Sequence, residues 1–296
     1  MTYSIAARDP ASGRFGIAVQ SHAFTVGPIV PWAEAGVGAV ATQAFVNVSF
    51  GPIGLEMLRN DWSAERVVAA LVAGDDQPEQ RQIGVVDGKG GVAAHTGSAC
   101  VPACGHILGE GFTVQGNLLE RDEVWRSMAP AYEAASSSDL PFSERLLRAL
   151  EAAEAAGGDV RGRQSAAIVI VEGSLRPAAW RGRLMDLRVE DHPDPVPELR
   201  RLVNLWEAQA LLDDEGDAAK AGVSEAERYA EARRRAPEFA ELAFWTGVEL
   251  ANRGDLDGGR RELAVAFAAD ARWRTTLEHM AGGRVDRALA EKLLAE

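Results

Sequence analysis

Residues 2–27 decide the fold of this chain, and they read TYSIAARDPASGRFGIAVQSHAFTVG. Two β-prone runs, 2–8 and 15–21, flank the segment DPASG, which has a proline near its start and a glycine at its end. Proline and glycine favour tight turns because proline restricts φ and glycine tolerates positive φ. The stretch therefore predicts a β-hairpin of two antiparallel strands.

Short strands and paired helices alternate in blocks beyond this hairpin. Further strands are predicted at 36–45, 82–87, 91–96, 111–119, 164–171 and 184–191, and helices at 51–60, 63–73, 122–135 and 141–156. Helices in consecutive pairs do not give the strand–helix–strand alternation of a parallel sheet. The sequence therefore predicts an α+β fold in which helices cover antiparallel sheets.

The domain boundary is predicted at a proline-rich segment, HPDPVP at 192–197. Three prolines in five positions oppose helix and sheet pairing, so 193–197 is expected to be an extended linker between a domain at 1–192 and an all-α domain at 198–296. Within the second domain, 238–271 resembles one tetratricopeptide unit and 203–236 a degenerate one. The residues that carry this resemblance are Trp245, Gly247, Ala251, Gly254, Asp255, Leu263 and Phe267. Such a domain either binds a peptide or partner or packs on the first domain.

Composition excludes several classes of protein. The 296 residues are 47% hydrophobic and 25% charged, which excludes a disordered or fibrous chain. The net charge of −13 repels nucleic acid and anionic membranes, and no apolar run is long enough for a membrane span. Arg8 and Asp9 fall where a signal peptide needs apolar residues, and the cysteines, Cys100 and Cys104, are too few for a disulfide framework. We expect a cytoplasmic protein without nucleic-acid or membrane partners.

Thr2 is the first candidate for chemistry. Because residue 2 is small, methionine aminopeptidase is expected to remove Met1, and the mature chain then begins with Thr2. An N-terminal threonine carries a hydroxyl nucleophile and an α-amine, with a pKa of about 7.7–8.0, that acts as its general base. Many proteins begin with Met-Thr, so this residue alone does not establish catalysis.

Five separated sequence motifs bear on the role of Thr2. They are the opening run at 2–27, VPWAEAGVGAVATQAFVN at 30–47, AAHTGSAC at 93–100, GFTVQGNLL at 111–119 and GRQSAA at 162–167. Through them the chain resembles the bacterial domain-of-unknown-function family 1028, which is grouped with the N-terminal-nucleophile (Ntn) hydrolases. The resemblance covers about residues 2–192 and implies a four-layer αββα sandwich that cleaves amide bonds without a metal or cofactor. It also implies a homo-oligomer, by analogy with the superfamily, and a C-terminal segment of the kind assigned to peptidoglycan binding.

The resemblance assigns the nucleophile to Thr2, but neighbouring positions depart from proteasome-type members. Those members place an aspartate at the end of the second strand, where this chain has Ser21 and His22, and use a lysine in a region where this chain has none. Either His22, Arg8 or Arg14 supplies the positive field, or the amine works with an asparagine and backbone donors, as in penicillin-acylase-type members. His22 is predicted to shuttle protons at the nucleophile, the alternative being a solvated residue at a strand end.

The remaining site predictions concern polar side chains near strand ends. Asn117 follows a glycine, and its amide is a suitable donor to a developing oxyanion; the alternative is a residue of a strand-end turn. Polar groups in otherwise apolar surroundings need hydrogen-bond partners when buried, and a substrate is one such partner. The residues predicted to position the substrate are Ser21, Gln43, His95, Gln115 and Arg163.

Two histidines and two cysteines fall within twelve residues, at His95, Cys100, Cys104 and His106. Their spacing differs from the paired cysteines that wrap tetrahedral zinc, so no metal is predicted. Cys100 paired with His95 is a rival nucleophile. We predict an Ntn-type amidohydrolase for a small molecule or short peptide. The alternative is a catalytically silent Ntn-fold scaffold whose helical domain binds a partner or cell-wall component.

Overall fold

The computed structural model describes residues 2–213 and 224–295. The chain forms two compact units, which divide between Arg200 and Arg201. Unit 1 contains the described strands, and the described part of unit 2 is built of helices.

Unit 1 begins with the predicted hairpin and contains ten strands in its described residues. The strands are β1 (Thr2–Arg8), β2 (Phe15–Ser21), β3 (Pro31–Glu34), β4 (Gly38–Ala44), β5 (Arg81–Asp87), β6 (Val92–Thr96), β7 (Gly105–Gly109), β8 (Phe112–Asn117), β9 (Ser165–Val171) and β10 (Arg183–Val189). The helices are α1 (Phe50–Arg59), α2 (Ala64–Ala73), α3 (Glu123–Ser136) and α4 (Phe142–Ala155), and α5 (Pro195–Asp213) begins in unit 1 and continues into unit 2.

The strands pair antiparallel in two sheets. β1 lies inside a six-stranded sheet with the order β10-β9-β2-β1-β8-β7, and the second sheet has four strands in the order β3-β4-β5-β6. The hairpin register places Thr2 opposite Ser21 and Arg8 opposite Phe15. The prediction of an α+β fold with antiparallel sheets is confirmed.

Helices cover the outer face of each sheet. α1 and α2 pack on β4, β5 and β6 through an apolar cluster that includes Val40, Val67 and Ile83. α3 and α4 pack on β1, β2 and β8 of the six-stranded sheet. The inner faces of the two sheets contact each other, and Ile17 and Val86 belong to their shared core.

This shared interior changes from apolar to polar along the strands. Successive side chains of a strand point to opposite faces, so the even-numbered residues of β1 face the second sheet. Ala6 belongs to the shared apolar core, whereas Thr2 and Ser4 nearer the start of β1 are polar and buried. The sheets therefore enclose a polar region at the end where β1 begins.

Two strands and one helix start differ from the sequence prediction. β3 and β7 were not predicted, because both are short edge strands and their sequences, PWAE and GHILG, carry proline or glycine. The segment expected to be an extended linker, 193–197, instead leads into α5 at Pro195. Proline is compatible with the first helical turn, where the N–H group that it lacks has no intrahelical acceptor.

The described helices of unit 2 are α6 (Glu225–Arg235), α7 (Ala240–Asn252), α8 (Leu256–Ala269), α9 (Arg272–Met280) and α10 (Arg287–Leu294). α7 and α8 approach closely at Gly247 and Gly259, since a Cβ on either glycine would lie 2.8 Å from the carbonyl oxygen of the other. Part of the degenerate repeat predicted at 203–236 lies outside the described residues, at 214–223. Within residues 2–213 and 224–295, no helix has the length and apolar character needed to cross a membrane.

Candidate functional site

Thr2 lies at the polar end of the region between the sheets. As the first residue of β1 it is opposite Ser21 of β2 and Asn117 of β8. The Thr2 hydroxyl, Oγ1, donates to Ser21 Oγ at 3.1 Å. Thr2 is only 4% exposed, so the hydroxyl predicted to be the nucleophile is held in a largely enclosed position. Met1, whose removal is expected, lies outside the described residues.

Asn117 and two glutamines surround the backbone of Thr2. Asn117 Nδ2 donates to Gln82 Oε1 at 2.8 Å and lies 3.5 Å from the Thr2 carbonyl oxygen. Gln43 Nε2 donates to the same carbonyl at 3.2 Å and to Gln82 Oε1 at 2.7 Å. Because Gln82 Oε1 accepts from both amides, it fixes the direction in which their N–H groups point.

The network continues along the inner face of β1 to Ser4. Ser4 Oγ donates to Gln43 Oε1 at 2.7 Å and accepts from Gln115 Nε2 at 2.6 Å. Thr113 Oγ1 donates to Gln115 Oε1 at 3.0 Å. We call this buried set the Thr2 network; its members are Thr2, Ser4, Ser21, Gln43, Gln82, Thr113, Gln115 and Asn117. Pairing among these groups offsets the cost of removing them from water.

The Thr2 network reaches a titratable side chain through Gln82. Gln82 Nε2 donates to Thr96 Oγ1 at 3.0 Å, and that hydroxyl lies 2.8 Å from His106 Nδ1. Burial, together with the nearby His95, lowers the pKa of His106. The neutral imidazole is therefore favoured at the outer end of this chain of hydrogen bonds.

The structure does not bring His22 or Arg163 to the Thr2 network. The His22 backbone N–H donates to Asp159 Oδ2 at 3.0 Å, and His22 Nδ1 lies 3.3 Å from the Arg163 carbonyl oxygen. The Arg163 guanidinium pairs with Glu154 at 2.5 Å and with Asp194 at 2.6 Å. The partners of these two side chains are therefore a backbone carbonyl and two carboxylates rather than Thr2.

His95 and the cysteines also lie outside the Thr2 network. His95 Nε2 is 2.9 Å from the Pro78 carbonyl oxygen, and Cys100 Sγ donates to the Arg81 carbonyl at 3.3 Å. Burial raises the pKa of Cys100 to about 11 and also raises the pKa of Cys104, which disfavours a thiolate nucleophile. Among residues 2–213 and 224–295, no group of three or more His, Cys, Asp and Glu side chains is placed to hold a metal ion.

Sequence reasoning missed several members of the site. Ser4 was identifiable, because it lies two residues after Thr2 and alternation places both on one face of β1. Gln82 was identifiable by the argument that selected Gln43, since it is also a polar residue in an apolar strand. The link from Thr96 to His106 joins β6 to β7, and β7 was not predicted.

Fold and site together define a two-sheet α+β domain in which a hydroxyl residue begins a central strand and side-chain amides surround it. A sequence profile described as a family of unknown function, DUF1028, matches residues 2–199. The chain belongs to the DUF1028 family.

The fold is also similar to that of a solved member of this family. The crystal structure of protein SPO2555 from Silicibacter pomeroyi, assigned to DUF1028, matches with a TM-score of 0.62 and 31% sequence identity. The match covers 77% of this chain and 93% of that chain. A comparison with curated proteins gives no match.

Proposed function

We propose that unit 1 is an amidohydrolase of the Ntn type, with Thr2 as nucleophile once Thr2 is the first residue of the mature chain. The observation that carries the proposal is the position of Thr2. It begins β1, in the interior of the six-stranded sheet, and its hydroxyl faces the polar region between the sheets. Helices outside two facing antiparallel sheets also fit the four-layer αββα sandwich that the resemblance to Ntn hydrolases implies.

With its α-amine free, Thr2 carries its own general base. An α-amino group has a pKa of about 7.7–8.0 and is partly neutral near pH 7. The amine takes the proton of Oγ1, directly or through water, as Oγ1 attacks the carbonyl carbon of the amide. The C–N bond then breaks and the leaving nitrogen takes that proton. Water, activated by the same amine, hydrolyses the resulting ester, which restores the hydroxyl and releases a carboxylic acid.

Asn117 is the proposed donor to the oxyanion of the tetrahedral intermediate. One N–H of its amide is engaged by Gln82 Oε1 at 2.8 Å. The other is directed near the Thr2 carbonyl oxygen, where the 3.5 Å distance makes a weak hydrogen bond at most. This second N–H is therefore available to an oxyanion formed at Thr2, and Gln82 acts as a positioning residue for it.

The surroundings of Thr2 support an amide-based site rather than a lysine-based one. The Thr2 hydroxyl donates to Ser21 Oγ, and the Thr2 carbonyl oxygen is approached by the amides of Gln43 and Asn117. Such a site stabilises charge through oriented dipoles instead of a fixed positive group. His22 takes no part in the proposed mechanism, because its imidazole lies next to the Arg163 carbonyl oxygen.

The substrate proposed is a small molecule or short peptide, the substrate class that the resemblance to Ntn hydrolases implies. Gln43 and Gln115 remain the proposed positioning groups. His95 and Arg163 have backbone or ion-pair partners of their own, so a substrate has to displace these partners to use them. Cytoplasmic location and homo-oligomer formation stay predictions from the sequence.

A catalytically silent scaffold is the second candidate function. It is favoured by the same low exposure of Thr2 and by the complete pairing of Ser4 and Gln115, which also suits a purely structural role. In that case the helical unit is the functional part, binding a partner or a cell-wall component.

The test is a screen of amides, ureides, lactams and acylated amino acids, with release of ammonia or amine as the signal. We expect turnover in the wild type, partial turnover in Thr2→Ser and none in Thr2→Val. Asn117→Ala should lower turnover by about 10²–10³-fold, as when one oxyanion donor is removed. Intact mass and N-terminal sequencing should show Thr2 as the first residue.

Cys100→Ser is the matched control, because it changes a buried nucleophile type outside the Thr2 network. It should retain wild-type turnover. Activity that persists in Thr2→Val, or a homogeneous active protein with a residue still attached before Thr2, contradicts the threonine mechanism. Activity lost in Cys100→Ser alone transfers the chemistry to the cysteine.

A further inference from the structure

A second cavity lies at the opposite end of β1 from Thr2. It has a volume of about 520 Å³ and is lined by Arg8, the last residue of β1, and by residues of the turns before β6 and β8 and of α3. The charged and aromatic residues that line it are Arg8, Lys89, Glu110, Phe112, Tyr132 and Glu133. The proposed hydrolytic site does not use this cavity.

Arg8 has an unused hydrogen-bonding capacity in this cavity. Its Nε is buried and finds no acceptor among the described residues. The guanidinium carbon lies 5.9 Å from the centre of the Phe15 ring, which orients the group without neutralising it. No carboxylate of the described residues forms an ion pair with Arg8, although Glu110 and Glu133 line the same cavity. A half-buried guanidinium whose Nε lacks an acceptor favours a carboxylate ligand, which accepts two parallel N–H bonds.

Basic groups line the cavity from β1 and the turn before β6, and acidic groups line it from α3 and from the turn before β8, which holds Glu110. Arg8 is an even-numbered residue of β1 and faces the second sheet, where its Cδ lies 3.7 Å from the Cβ position of Gly90, next to Lys89. Glu133 belongs to α3, which covers the outer face, and α3 ends at Ser136 beside the same cavity. The carboxyl end of a helix attracts cations, so the outer side favours an ammonium group.

Two aromatic residues, Phe112 and Tyr132, form an apolar wall of the cavity. The rings of Phe112 and Tyr132 pack with their centres 4.8 Å apart. Burial raises the pKa of Tyr132 to about 12, so its hydroxyl stays neutral and adds no charge to this wall. A ligand that satisfies the cavity therefore needs a carboxylate, an ammonium group and an apolar side chain.

We propose that this cavity binds a free α-amino acid, with its carboxylate at Arg8 and Lys89, its ammonium group toward Glu133 and the end of α3, and an apolar side chain against Phe112 and Tyr132. The proposal stands on this cavity alone and does not depend on hydrolysis at Thr2.

The experiment is isothermal titration calorimetry of the full chain with four probes. One carries all three chemical groups, two lack one group each, and the fourth is a simple anion. L-Phenylalanine carries all three groups, 3-phenylpropionate lacks the ammonium group, phenethylamine lacks the carboxylate, and inorganic phosphate tests a simple anion site. We expect L-phenylalanine to bind tightest and phenethylamine not to bind. Arg8→Gln should weaken L-phenylalanine binding about tenfold or more, as for loss of a charge-assisted hydrogen bond.

Two further variants keep the result interpretable if Arg8→Gln disturbs folding. Lys89→Gln, in an exposed turn, should weaken L-phenylalanine binding in the same direction, whereas Arg14→Gln, an exposed arginine of the adjacent hairpin, should leave it unchanged. Equal binding of L-phenylalanine by Arg8→Gln, Lys89→Gln and the wild type overturns the proposal. So does absence of L-phenylalanine binding, tighter binding of phosphate, or loss of binding in Asn117→Ala alone, which places the amino acid at the Thr2 network instead.

Discussion

Two buried glutamines make a paired test of the Thr2 network. Gln82 and Gln20 are both 0% exposed and both lie within strands of unit 1. Gln82 is hydrogen-bonded at both ends of its amide, whereas neither Nε2 nor Oε1 of Gln20 has a partner among the described residues. Methionine has a similar length and flexibility but neither donor nor acceptor of that strength. The two substitutions therefore differ chiefly in the hydrogen bonds that they remove: Gln82→Met removes several, and Gln20→Met removes none.

The magnitudes follow from the partners left behind. Gln82→Met removes the acceptor of Asn117 Nδ2 at 2.8 Å and the donor to the Gly116 carbonyl at 2.8 Å. Each buried polar group left unsatisfied costs about 1–3 kcal/mol. Gln43 loses less, because its Nε2 keeps the Thr2 carbonyl at 3.2 Å. We expect Gln82→Met to lower the unfolding free energy of unit 1 by about 2–4 kcal/mol.

Gln20→Met should raise the unfolding free energy of unit 1 or leave it unchanged. The wild-type amide already carries the cost of burial without hydrogen bonds, so removing it relieves that cost. We expect a change between zero and about 2 kcal/mol of stabilisation.

The assay must report unit 1 alone, since a chain of two units need not unfold in one step. Both cysteines lie in unit 1, and Cys100 is 4% exposed. Pulse labelling of Cys100 across a urea series, in a Cys104→Ser background, therefore follows the opening of unit 1. The variants are compared by the urea concentration at the midpoint of unit 1 unfolding, with the dependence of the unfolding free energy on urea concentration unchanged. Similar destabilisation by both substitutions, or no effect of Gln82→Met, would refute the network argument.

The remaining predictions concern a histidine, a cysteine and a glycine. Because burial and the nearby His95 lower the pKa of folded His106, the unfolded chain binds more protons, and stability should fall as pH drops below about 6.5; His106→Gln should flatten that fall in pH-dependent urea titrations. Since burial raises the pKa of Cys100 to about 11, its alkylation by iodoacetamide at pH 8, followed by mass spectrometry, should be far slower in the native protein than in urea. Gly247→Ala places a Cβ 2.8 Å from the Gly259 carbonyl and should destabilise unit 2 by about 1–3 kcal/mol, seen as early helix loss by circular dichroism with unchanged Cys100 labelling.

Most of the fold was predicted from the alternation of side chains along strands and from the residues that favour turns. The DPASG turn and its flanking β-prone runs predicted the first hairpin, and the alternation of side chains then places Thr2 and Ser4 on one face. The same rule accounts for the position of His22, which follows Ser21 immediately and whose Nδ1 lies 3.3 Å from the Arg163 carbonyl oxygen. Both residues were predicted to lie at the nucleophile, but adjacent residues at a strand end point to opposite sides, and the structure places Ser21 next to Thr2.

What the sequence does not contain is the register between strands far apart in the chain. Asn117 meets Thr2 because β8 pairs with β1, and Gln43 and Gln82 reach the same point from the other sheet. No local pattern encodes a contact between sheets, since it depends on how the whole interior packs. The position of Arg163 was unpredictable for a related reason, because its partner Glu154 belongs to a helix on the outer face.

The composition of the interior favours chemistry over scaffolding as the origin of the Thr2 network. The same strands that bury Thr2 and Ser21 at one end bury Ala6 and Ile17 further along, so apolar residues are sufficient to join these sheets. Buried polar groups that the fold does not need are a signature of functional sites. Thr2→Val separates the two origins. It removes one 3.1 Å hydrogen bond to Ser21, and Ser21 keeps a further interaction, so the loss of stability should stay below about 1 kcal/mol. A stable, inactive Thr2→Val protein is what the amidohydrolase proposal requires, whereas a markedly destabilised one assigns the network to the fold.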